Sequence, residues 1–309
     1  MTIALRETKP GRVLVTGAAG FIGRWAVAAL RELGFDVHAV GRPMRPGVEN
    51  WHQADLLDAK ARSALIRTVK PDHLLHTAWF TGHKRFWTAP QNVDWLVASL
   101  DLLAEFAAVD GRRAVLVGSC AEYDWAGSDT EPWREDRPCH PATLYGQAKH
   151  DVAQQAASLA ASRGISFAWG RVFTPIGLYE EPERLVPSVI RALLAGQRAT
   201  TGPGDLVRDF LDVRDAGYAF ARLVAGDVSG AVNIGSGQGL SIGDIARQIG
   251  ALTGRPELLG IGARPPRAGD PPFMVADVKR LRDEVGFQPR FTLDETLNDA
   301  IDFWQAQPG

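Results

Sequence analysis

The sequence is poor in the residues and patterns that mark several classes of protein. It has two cysteines in 309 residues, too few for a disulfide framework or a zinc cluster, so we expect free thiols and no metal site. No apolar run approaches the roughly 20 residues that a membrane-spanning helix needs. The polar N-terminus lacks the apolar core of a signal peptide. We therefore expect a soluble cytoplasmic protein.

A strong excess of either charge is also missing. The formal net charge is -2, from 34 basic and 36 acidic residues, which gives no general reason to expect nucleic acid or a membrane as a partner. The composition, 45% hydrophobic and 23% charged, is that of an ordinary globular enzyme. The length accommodates one large domain and a smaller one.

The N-terminal part contains a glycine-rich turn between a predicted strand and a predicted helix. The β-branched run 12–16 predicts a buried strand, and apolar residues recur at helical spacing after the turn. Glycines in such a turn let backbone amides approach a pyrophosphate at the N-terminus of the helix. We therefore predict that a dinucleotide binds here. The expected contacts are Gly17, Gly20, Phe21, Ile22 and Gly23.

The end of the second predicted strand, 36–40, bears on which dinucleotide binds. NAD sites normally place an acidic residue there to bind the ribose 2′-hydroxyl. No carboxylate follows the strand here, and Arg42 stands where a 2′-phosphate would lie, which favours NADP over NAD; Arg45 could share that role. Asp55 is either a partner for the adenine amino group or a carboxylate at a helix entry. Other predicted cofactor contacts are Leu56, Thr77 and Ala78.

A tyrosine and a lysine lie four residues apart in the predicted helix 141–163. Tyr145 and Lys149 therefore share one helix face, and an ammonium beside a phenol lowers the pKa of the tyrosine. Such a tyrosine can act as a general acid or base near neutral pH. Ser119 ends the predicted strand 114–118, at the sheet edge where ligands bind in open α/β sheets. We predict that these three side chains are catalytic.

Strands and helices alternate through the first 173 residues, which indicates an α/β fold with a right-handed, doubly wound parallel sheet of the Rossmann type. Beyond that point proline, glycine and arginine become more frequent. We assign residues 1–174 to a dinucleotide-binding domain, to which a segment near 205–248 returns. Residues 175–204 and 249–309 are assigned to a smaller substrate-binding domain.

The loop between the third predicted strand and the next helix, 79–87, is aromatic and basic. Burial in a core explains one or two of its four aromatic residues, but not four of them interleaved with His83, Lys84 and Arg85. We predict that this loop faces the substrate, with Trp79 and His83 in contact with it.

Several ordered motifs together resemble the extended short-chain dehydrogenase/reductase family, particularly its nucleotide-sugar epimerases, dehydratases and 4-ketoreductases. The resemblance covers nearly the whole chain. The segments that carry it are 16–23 (T-G-x-x-G-F-I-G), the asparagine at 92, 119–123 (S-x-x-x-Y), 145–149 (Y-x-x-x-K), 208–215 (R-D-F-x-x-V-x-D), 232–237 and 277–304.

The resemblance implies hydride transfer to or from a nucleotide-activated sugar. In such a site Tyr145 would exchange a proton with the sugar oxygen and Ser119 would polarise the carbonyl. Lys149 would lower the pKa of the tyrosine and bind the nicotinamide ribose. Arg208, with Arg267 as a weaker candidate, would hold the diphosphate by charge-assisted bonds. The family also implies a homodimer, formed through the helices predicted at 89–109 and 141–163.

Departures from the family pattern narrow the reaction. Family 4,6-dehydratases carry an Asp-Glu pair directly after the serine or threonine, where this chain has Cys120 and Ala121, so dehydration is not expected. Fucose-forming relatives place a cysteine two residues after the serine, whereas Cys120 is one residue after it and is expected to point away from the substrate. Glu122 and Tyr123 are further candidates for substrate contact, although a loop carboxylate is the favoured interpretation of Glu122.

The expected function is thus NADP-dependent reduction of a 4-keto nucleotide sugar. The alternative is an NAD-dependent nucleotide-sugar 4-epimerase, which uses the same residues but retains its cofactor. A second alternative is a non-catalytic dinucleotide-sensing protein, which the intact Ser119, Tyr145 and Lys149 set argues against. No motif identifies the sugar or the base.

Overall fold

The computed structural model describes residues 10–43, 48–82, 85–126, 130–267 and 269–307. The strands in these stretches are β1 (Arg12–Thr16), β2 (Asp36–Gly41), β3 (Trp51–Gln53), β4 (His73–His76), β5 (Arg113–Ser119), β6 (Ser166–Val172), β7 (Thr174–Ile176), β8 (Ala199–Thr200), β9 (Val207–Asp212), β10 (Gly230–Ile234), β11 (Gly239–Ser241), β12 (Leu259–Gly260) and β13 (Phe273–Met274). The helices are α1 (Gly23–Glu32), α2 (Ala59–Val69), α3 (Gln91–Ala107), α4 (Leu144–Ser162), α5 (Leu185–Leu194), α6 (Val213–Ala225), α7 (Ile242–Leu252), α8 (Lys279–Asp283) and α9 (Leu293–Gln305).

Seven strands form the larger sheet, in the order β10-β6-β5-β4-β1-β2-β3, and every pairing in it is parallel. The chain winds outward from β1 in one direction and from β4 in the other, so the strand order reverses between these two strands. This confirms the doubly wound sheet predicted from the sequence. Ligands bind at such a reversal point, outside the carboxyl ends of the strands. Strand β3 was not predicted.

Helices cover both faces of the larger sheet, because its strands are apolar on both sides. One core contains residues of α1 and α6, for example Leu30 and Phe220, against the sheet. The opposite core contains residues of α2, α3 and α4, for example Ile66, Leu103 and Val152. No helix in the described stretches is long and apolar enough to cross a membrane.

A smaller sheet and a separate core lie in the C-terminal part of the chain. Strand β9 pairs with β7, β11 and β13, and α5, α7 and α9 pack over this region around residues such as Ile190, Ile249 and Leu297. The segment predicted to return to the larger sheet is therefore split. Helix α6 packs on the larger sheet and strand β10 pairs at its edge. Strands β9 and β11 and helix α7 belong to the region of the smaller sheet. The exact division into domains stays a prediction.

Candidate active site

The glycine turn after β1 is packed so closely that side chains are excluded from it. Gly17 has φ of +64°, and a Cβ there would lie 2.6 Å from Thr77 Oγ1 and 2.8 Å from the Ala78 nitrogen. A Cβ on Gly23, the first residue of α1, would lie 2.2 Å from the Gly17 carbonyl oxygen. The Gly20 amide closes the turn by donating to that same carbonyl at 2.8 Å. The structure therefore requires glycine at 17 and 23 for close helix–strand packing.

A buried hydrogen-bond chain fixes the ends of β1 and β4 on either side of the reversal point. The Thr16 hydroxyl lies 2.7 Å from His76 Nδ1 and accepts from the amides of Thr77 and Ala78 at 3.1 and 3.2 Å. His76 Nε2 is 2.8 Å from the Ser99 hydroxyl of α3. Burial lowers the pKa of His76 to about 3, so this imidazole is neutral and serves the structure.

A cavity of about 260 Å³ opens at this reversal point. Gly17, Gly20, Ala78, Trp79 and Trp95 are among the residues that line it. Small residues of the glycine turn and the polar side chains of Arg42 and Asp55 together suit the adenosine half of a dinucleotide near a helix N-terminus. The predicted contacts Phe21 and Ile22 lie in the same turn and are half-buried.

The rim of the cavity at the end of β2 carries no carboxylate. A Cβ on Gly41 would lie 2.7 Å from the Trp51 ring, and Trp51 Nε1 donates to the Pro43 carbonyl at 3.1 Å, so the indole fills the space that a side chain at 41 would use. Arg42 is exposed and lines the cavity. Asp55 lines it as well, with Oδ1 accepting from the Leu57 amide at 3.1 Å. Arg45 falls outside the described residues.

The predicted catalytic residues meet because α4 approaches the turn that follows β5. Ser119 is the last residue of β5 and caps a short 3-10 turn, Cys120–Glu122, by accepting from the Ala121 amide at 3.1 Å. Thr143 caps α4 by accepting from the Gly146 amide at 3.1 Å. A Cβ on Gly146 would lie 2.2 Å from the Ala121 carbonyl oxygen. This close approach brings the first turn of α4, which carries Tyr145, onto Ser119.

The Tyr145 phenol is screened from water although part of the residue is exposed. Its ring makes edge contacts with Phe86, Trp87 and Trp79, with centroids 5.0, 5.8 and 6.4 Å apart. Burial raises the pKa of Tyr145 above its usual range, while a hydrogen bond with the Ser119 hydroxyl lowers it in part. The phenol is therefore protonated at neutral pH and needs a nearby positive charge before it can act as a base.

The Lys149 ammonium lies away from the surface and has two close partners. Nζ donates to the Val117 carbonyl at 2.8 Å and sits 3.7 Å from the centre of the Trp79 ring. Burial lowers the pKa of Lys149 to about 7, against the attraction of the Glu122 carboxylate, which raises it. The sequence predicted that this ammonium would hold the pKa of Tyr145 low. In the ligand-free chain the pKa of Tyr145 is raised instead, because desolvation outweighs the charges around it.

The aromatic loop after β4 is held over the catalytic residues by one buried asparagine. Asn92 accepts from Trp79 Nε1 at 2.8 Å and donates to the carbonyls of Phe86 and Ala89 at 2.7 and 2.9 Å. The Trp87 carbonyl accepts from the Tyr145 amide at 3.1 Å. The loop therefore contacts the predicted catalytic tyrosine directly. His83 and Lys84 lie outside the described residues, so the predicted substrate contact of His83 stays a prediction.

The structure places two predicted substrate residues in the interior. Glu122 has no exposed surface and accepts from the Ser119 amide, Trp169 Nε1 and Arg171 Nε. Tyr123 is equally buried, and its hydroxyl donates to Asn233 Oδ1 at 2.6 Å. Neither side chain faces the cleft in this structure, which corrects the expectation that they contact substrate. Residues 120–123 turn inward because β6 and β10 supply polar partners there.

The two predicted diphosphate residues differ in exposure. Arg208 is buried, donates to the carbonyls of Val207 and Pro271, and has Nη2 3.0 Å from Asp270 Oδ1. Arg267 is exposed, with its guanidinium 4.4 Å from the centre of the Trp87 ring. A diphosphate would have to compete with Asp270 for Arg208. Both assignments stay predictions.

Three residues that shape the site were not identified as site residues from the sequence. Thr16 fixes the strand ends, Asn92 holds the aromatic loop, and Trp51 closes the space beside Gly41. The asparagine was noted as a family position, and its place in the first turn of α3, just after the aromatic loop, is the signal that could have identified it. Trp51 gave no signal, because its role depends on the pairing of β3 with β2.

A parallel sheet with a glycine turn at its reversal point, beside a serine, tyrosine and lysine, defines a dinucleotide-dependent enzyme of the Rossmann type. Comparison with known proteins gives the family. A model of the "NAD dependent epimerase/dehydratase family" matches residues 13–235. The chain belongs to this family, which confirms the resemblance seen in its motifs.

Individual relatives match over nearly the whole chain. A UDP-glucose 4-epimerase of Corynebacterium glutamicum is 27% identical over 328 residues, covering 96% of each sequence. MoeE5, solved with UDP-glucose and NAD, is 29% identical with a TM-score of 0.82, covering 95% of this chain and 98% of that one. A UDP-glucose 4-epimerase of Thermus thermophilus, solved with NAD, has a TM-score of 0.86 at 22% identity, covering 96% and 99%, and shares the fold.

Proposed function

We propose that this protein is an NAD-dependent nucleotide-sugar 4-epimerase that acts on a UDP-sugar. The observation that carries the proposal is the convergence of Ser119, Tyr145 and Lys149 at the end of a dinucleotide cavity. The relative from Corynebacterium glutamicum is named a UDP-glucose 4-epimerase, and MoeE5 binds UDP-glucose and NAD. These names support the epimerase over the 4-ketoreductase that the sequence favoured.

The chain's own residues supply proton transfer and orientation. The glycine turn and Lys149 would hold the dinucleotide, which would supply the hydride acceptor for oxidation of the sugar carbon and the hydride donor for its reduction. Tyr145 takes the proton of the sugar hydroxyl as the carbonyl forms and gives it back in the second half of the cycle. The Ser119 hydroxyl donates a hydrogen bond to the same oxygen. The aromatic loop keeps water away from the phenol, which protects an oxidised sugar from exchange with solvent.

The protonation state of Lys149 governs the basicity of Tyr145. A buried phenol with a raised pKa is a poor base unless a positive charge lies near it. Lys149 supplies that charge only when protonated, and its pKa of about 7 places the change within the physiological range. Activity is therefore expected to depend on pH around neutrality.

A direct test is conversion of UDP-glucose to UDP-galactose by the purified protein without added cofactor. An epimerase retains NAD through each cycle, so we expect one NAD per chain after denaturation and turnover without an added nucleotide. Protein that binds NAD tightly yet interconverts none of a panel of UDP-sugars would contradict the proposal. UDP-glucuronic acid and UDP-N-acetylglucosamine belong in the panel, because structures related to this chain were solved with UDP-glucuronic acid or are named for the N-acetyl sugar.

An NADP-dependent 4-ketoreductase is the second candidate, and the rim of the cavity favours it. Gly41 and Trp51 leave no carboxylate at the end of β2, and Arg42 lies exposed beside the cavity. A guanidinium there can bind a 2′-phosphate. The two candidates separate on cofactor affinity. If the reductase is correct, Arg42→Ala weakens NADPH binding about tenfold or more and leaves NAD binding nearly unchanged. If the epimerase is correct, we expect the parent protein and Arg42→Ala to bind NAD equally tightly.

The remaining assignments extend the same proposal. Asp55 would contact the adenine, and Arg208 with Arg267 would hold the diphosphate of the sugar nucleotide. A homodimer would form through α3 and α4, where Val93 and Val97 are about half exposed one turn apart on the outer face of α3. Light scattering tests the dimer, and the Val97→Asp variant is expected to be monomeric. A cytoplasmic location remains a prediction.

A further inference from the structure

Two opposite charges contact the backbone at the end of strand β5. The Lys149 ammonium binds the Val117 carbonyl at 2.8 Å, and the Glu122 carboxylate accepts from the Ser119 amide at 2.7 Å. The two backbone groups belong to consecutive peptide units, which meet at the Cα of Gly118. The strand end that presents the Ser119 hydroxyl is therefore fixed by a cation on one backbone group and by an anion on another.

The Glu122 carboxylate is fully enclosed and fully hydrogen-bonded. It has no exposed surface, Trp169 Nε1 lies 3.0 and 2.9 Å from its two oxygens, and Arg171 Nε donates to Oε2 at 3.0 Å. A Cβ on Gly118 would lie 2.6 Å from Glu122 Oε1 and 2.2 Å from Trp169 Nε1. A carboxylate in such surroundings stays in place only because all of its partners are supplied by the protein.

We propose that Glu122 is a positioning residue of the active site, which fixes the backbone of Ser119 and supplies the negative charge that keeps Lys149 protonated. It touches neither substrate nor cofactor, and acts through the two side chains that do. This inference rests on the catalytic roles proposed above for Ser119 and Lys149.

Among the charged groups near Lys149, Glu122 is the anion that raises the pKa of the lysine. Burial lowers the pKa of Lys149 to about 7 and the Glu122 charge raises it, whereas His76, the titratable group facing Lys149 from β4, is neutral at this pH. Arg171 faces Glu122 from β6. The other ionisable groups on which the Glu122 charge acts are Cys120, Tyr123, Cys139 and Tyr145, and burial keeps each of them protonated at neutral pH.

The test removes the negative charge of Glu122 and keeps the shape of its side chain. Glu122→Gln retains an oxygen that can accept from the Ser119 amide and loses the negative charge. In ligand-free protein labelled with 13Cε-lysine, and with the signal of Lys149 assigned from Lys149→Met, we expect a titration midpoint near 7 in the parent. The midpoint is expected to fall by half a unit or more in Glu122→Gln, about a threefold smaller protonation constant. The alkaline limb of the kcat profile should also move to lower pH, with a lower kcat at pH 8.

Asp215→Asn is the matched control, because Asp215 is also fully buried and also accepts from backbone amides, those of Arg290 and Phe291. It is expected to lower stability and leave the Lys149 midpoint in place. An unchanged midpoint in Glu122→Gln, or a shifted midpoint with unchanged kcat, would overturn the proposal. If Glu122→Gln does not fold, Glu122→Gln/Arg171→Gln removes both members of the buried pair, and the same titration decides.

The lysine titration also separates this inference from the proposed function. If the parent protein converts no UDP-sugar, the epimerase proposal fails. The midpoints of parent and variant still measure whether Glu122 acts on Lys149, since they are recorded without any ligand.

Discussion

The two ends of the site are built in opposite ways. At one end, called here the open end and predicted to hold the adenosine, small residues line a cavity whose polar lining residues Arg42 and Asp55 are exposed. At the other end, called here the closed end, aromatic side chains enclose the predicted catalytic residues Tyr145 and Lys149. Desolvation there raises the pKa of the tyrosine and lowers that of the lysine, so that the neutral form of each is favoured. Trp79 stands between the two, because it lines the cavity and also contacts the ammonium. We thus assign dinucleotide binding to the backbone and small residues of the open end, and proton transfer to the enclosed ionisable side chains of the closed end.

Removing the phenol hydroxyl at the closed end is expected to have the largest effect. Tyr145→Phe should lower kcat by about a thousandfold, because general acid–base catalysis by a placed side chain contributes roughly 10² to 10⁴. Binding of the dinucleotide at the open end should be nearly unchanged. Turnover and calorimetric binding measure the two ends separately. Tyr218→Phe, on α6 where Arg290 stacks on the ring, is the control. Equal turnover of Tyr145→Phe and this control would contradict the assignment.

Near the closed end, a buried carboxyl is expected to make stability depend on pH. Burial raises the pKa of Glu180 to about 7, although Arg184 lies 3.2 Å away. Between pH 4.5 and 7 the folded chain therefore holds a proton that the unfolded chain has lost, so stability falls as pH rises through this range.

Glu180→Gln stays neutral at every pH and should gain stability relative to the parent from pH 4.5 to 7, reaching a plateau of at most about 3 kcal/mol. Urea unfolding at pH 4.5, 6 and 8 measures this. Glu181→Gln, an exposed neighbour, should follow the parent. Parallel pH profiles for Glu180→Gln and the parent would show that the carboxyl is not buried in solution.

At the open end, a single methyl group is expected to disturb binding rather than chemistry. Gly17→Ala adds a Cβ 2.6 Å from Thr77 Oγ1 at a φ of +64°, so we expect a loss of roughly 2 kcal/mol in stability and weaker dinucleotide binding. Gly164→Ala has nearly the same φ, +68°, with nothing within 4 Å of the added Cβ, and should lose only about 1 kcal/mol. Equal losses would mean that the tight packing of the turn is unimportant.

Replacing Trp79, which lies between the two ends, should have the smallest effect, and we expect that effect to be confined to the pKa of Lys149. Trp79→Ala admits water to Lys149 and also removes a cation–π contact. Desolvation shifts the pKa of a buried lysine by up to about 3–5 units, whereas a desolvated cation–π contact is worth about 2 kcal/mol, so we expect a net rise of about one unit in the pKa of Lys149. NMR titration measures it. Trp95→Ala widens the same cavity without touching the ammonium and should leave the pKa in place. A fall in Trp79→Ala would show that the contact dominates.

The open end was largely predictable because its geometry is local. Strand, glycine turn and helix are consecutive in sequence, and the spacing of Gly17, Gly20 and Gly23 reflects contacts that they make with one another. Alternating strands and helices likewise gave the doubly wound sheet, including the return of residues 232–234 to its edge as part of β10. The helix of Tyr145 and Lys149 was predicted at 141–163 and spans Leu144–Ser162, since Thr143 caps it.

The closed end was predictable only in part, because its properties come from residues distant in sequence. That Ser119, Tyr145 and Lys149 belong together followed from their order along the chain. Their protonation did not, since the aromatic residues that exclude water from Tyr145 arrive on the loop after β4. The inward turn of Glu122 likewise depends on Trp169 and Arg171, which β6 supplies 47 and 49 residues later.

The sequence by itself determined the fold class and the position of the glycine turn, and it predicted which side chains carry the chemistry, because each is encoded in short-range patterns. Only the tertiary structure decided which charges are enclosed, and therefore the direction in which each pKa moves. Desolvation depends on every neighbour in three dimensions, and a local motif cannot encode it.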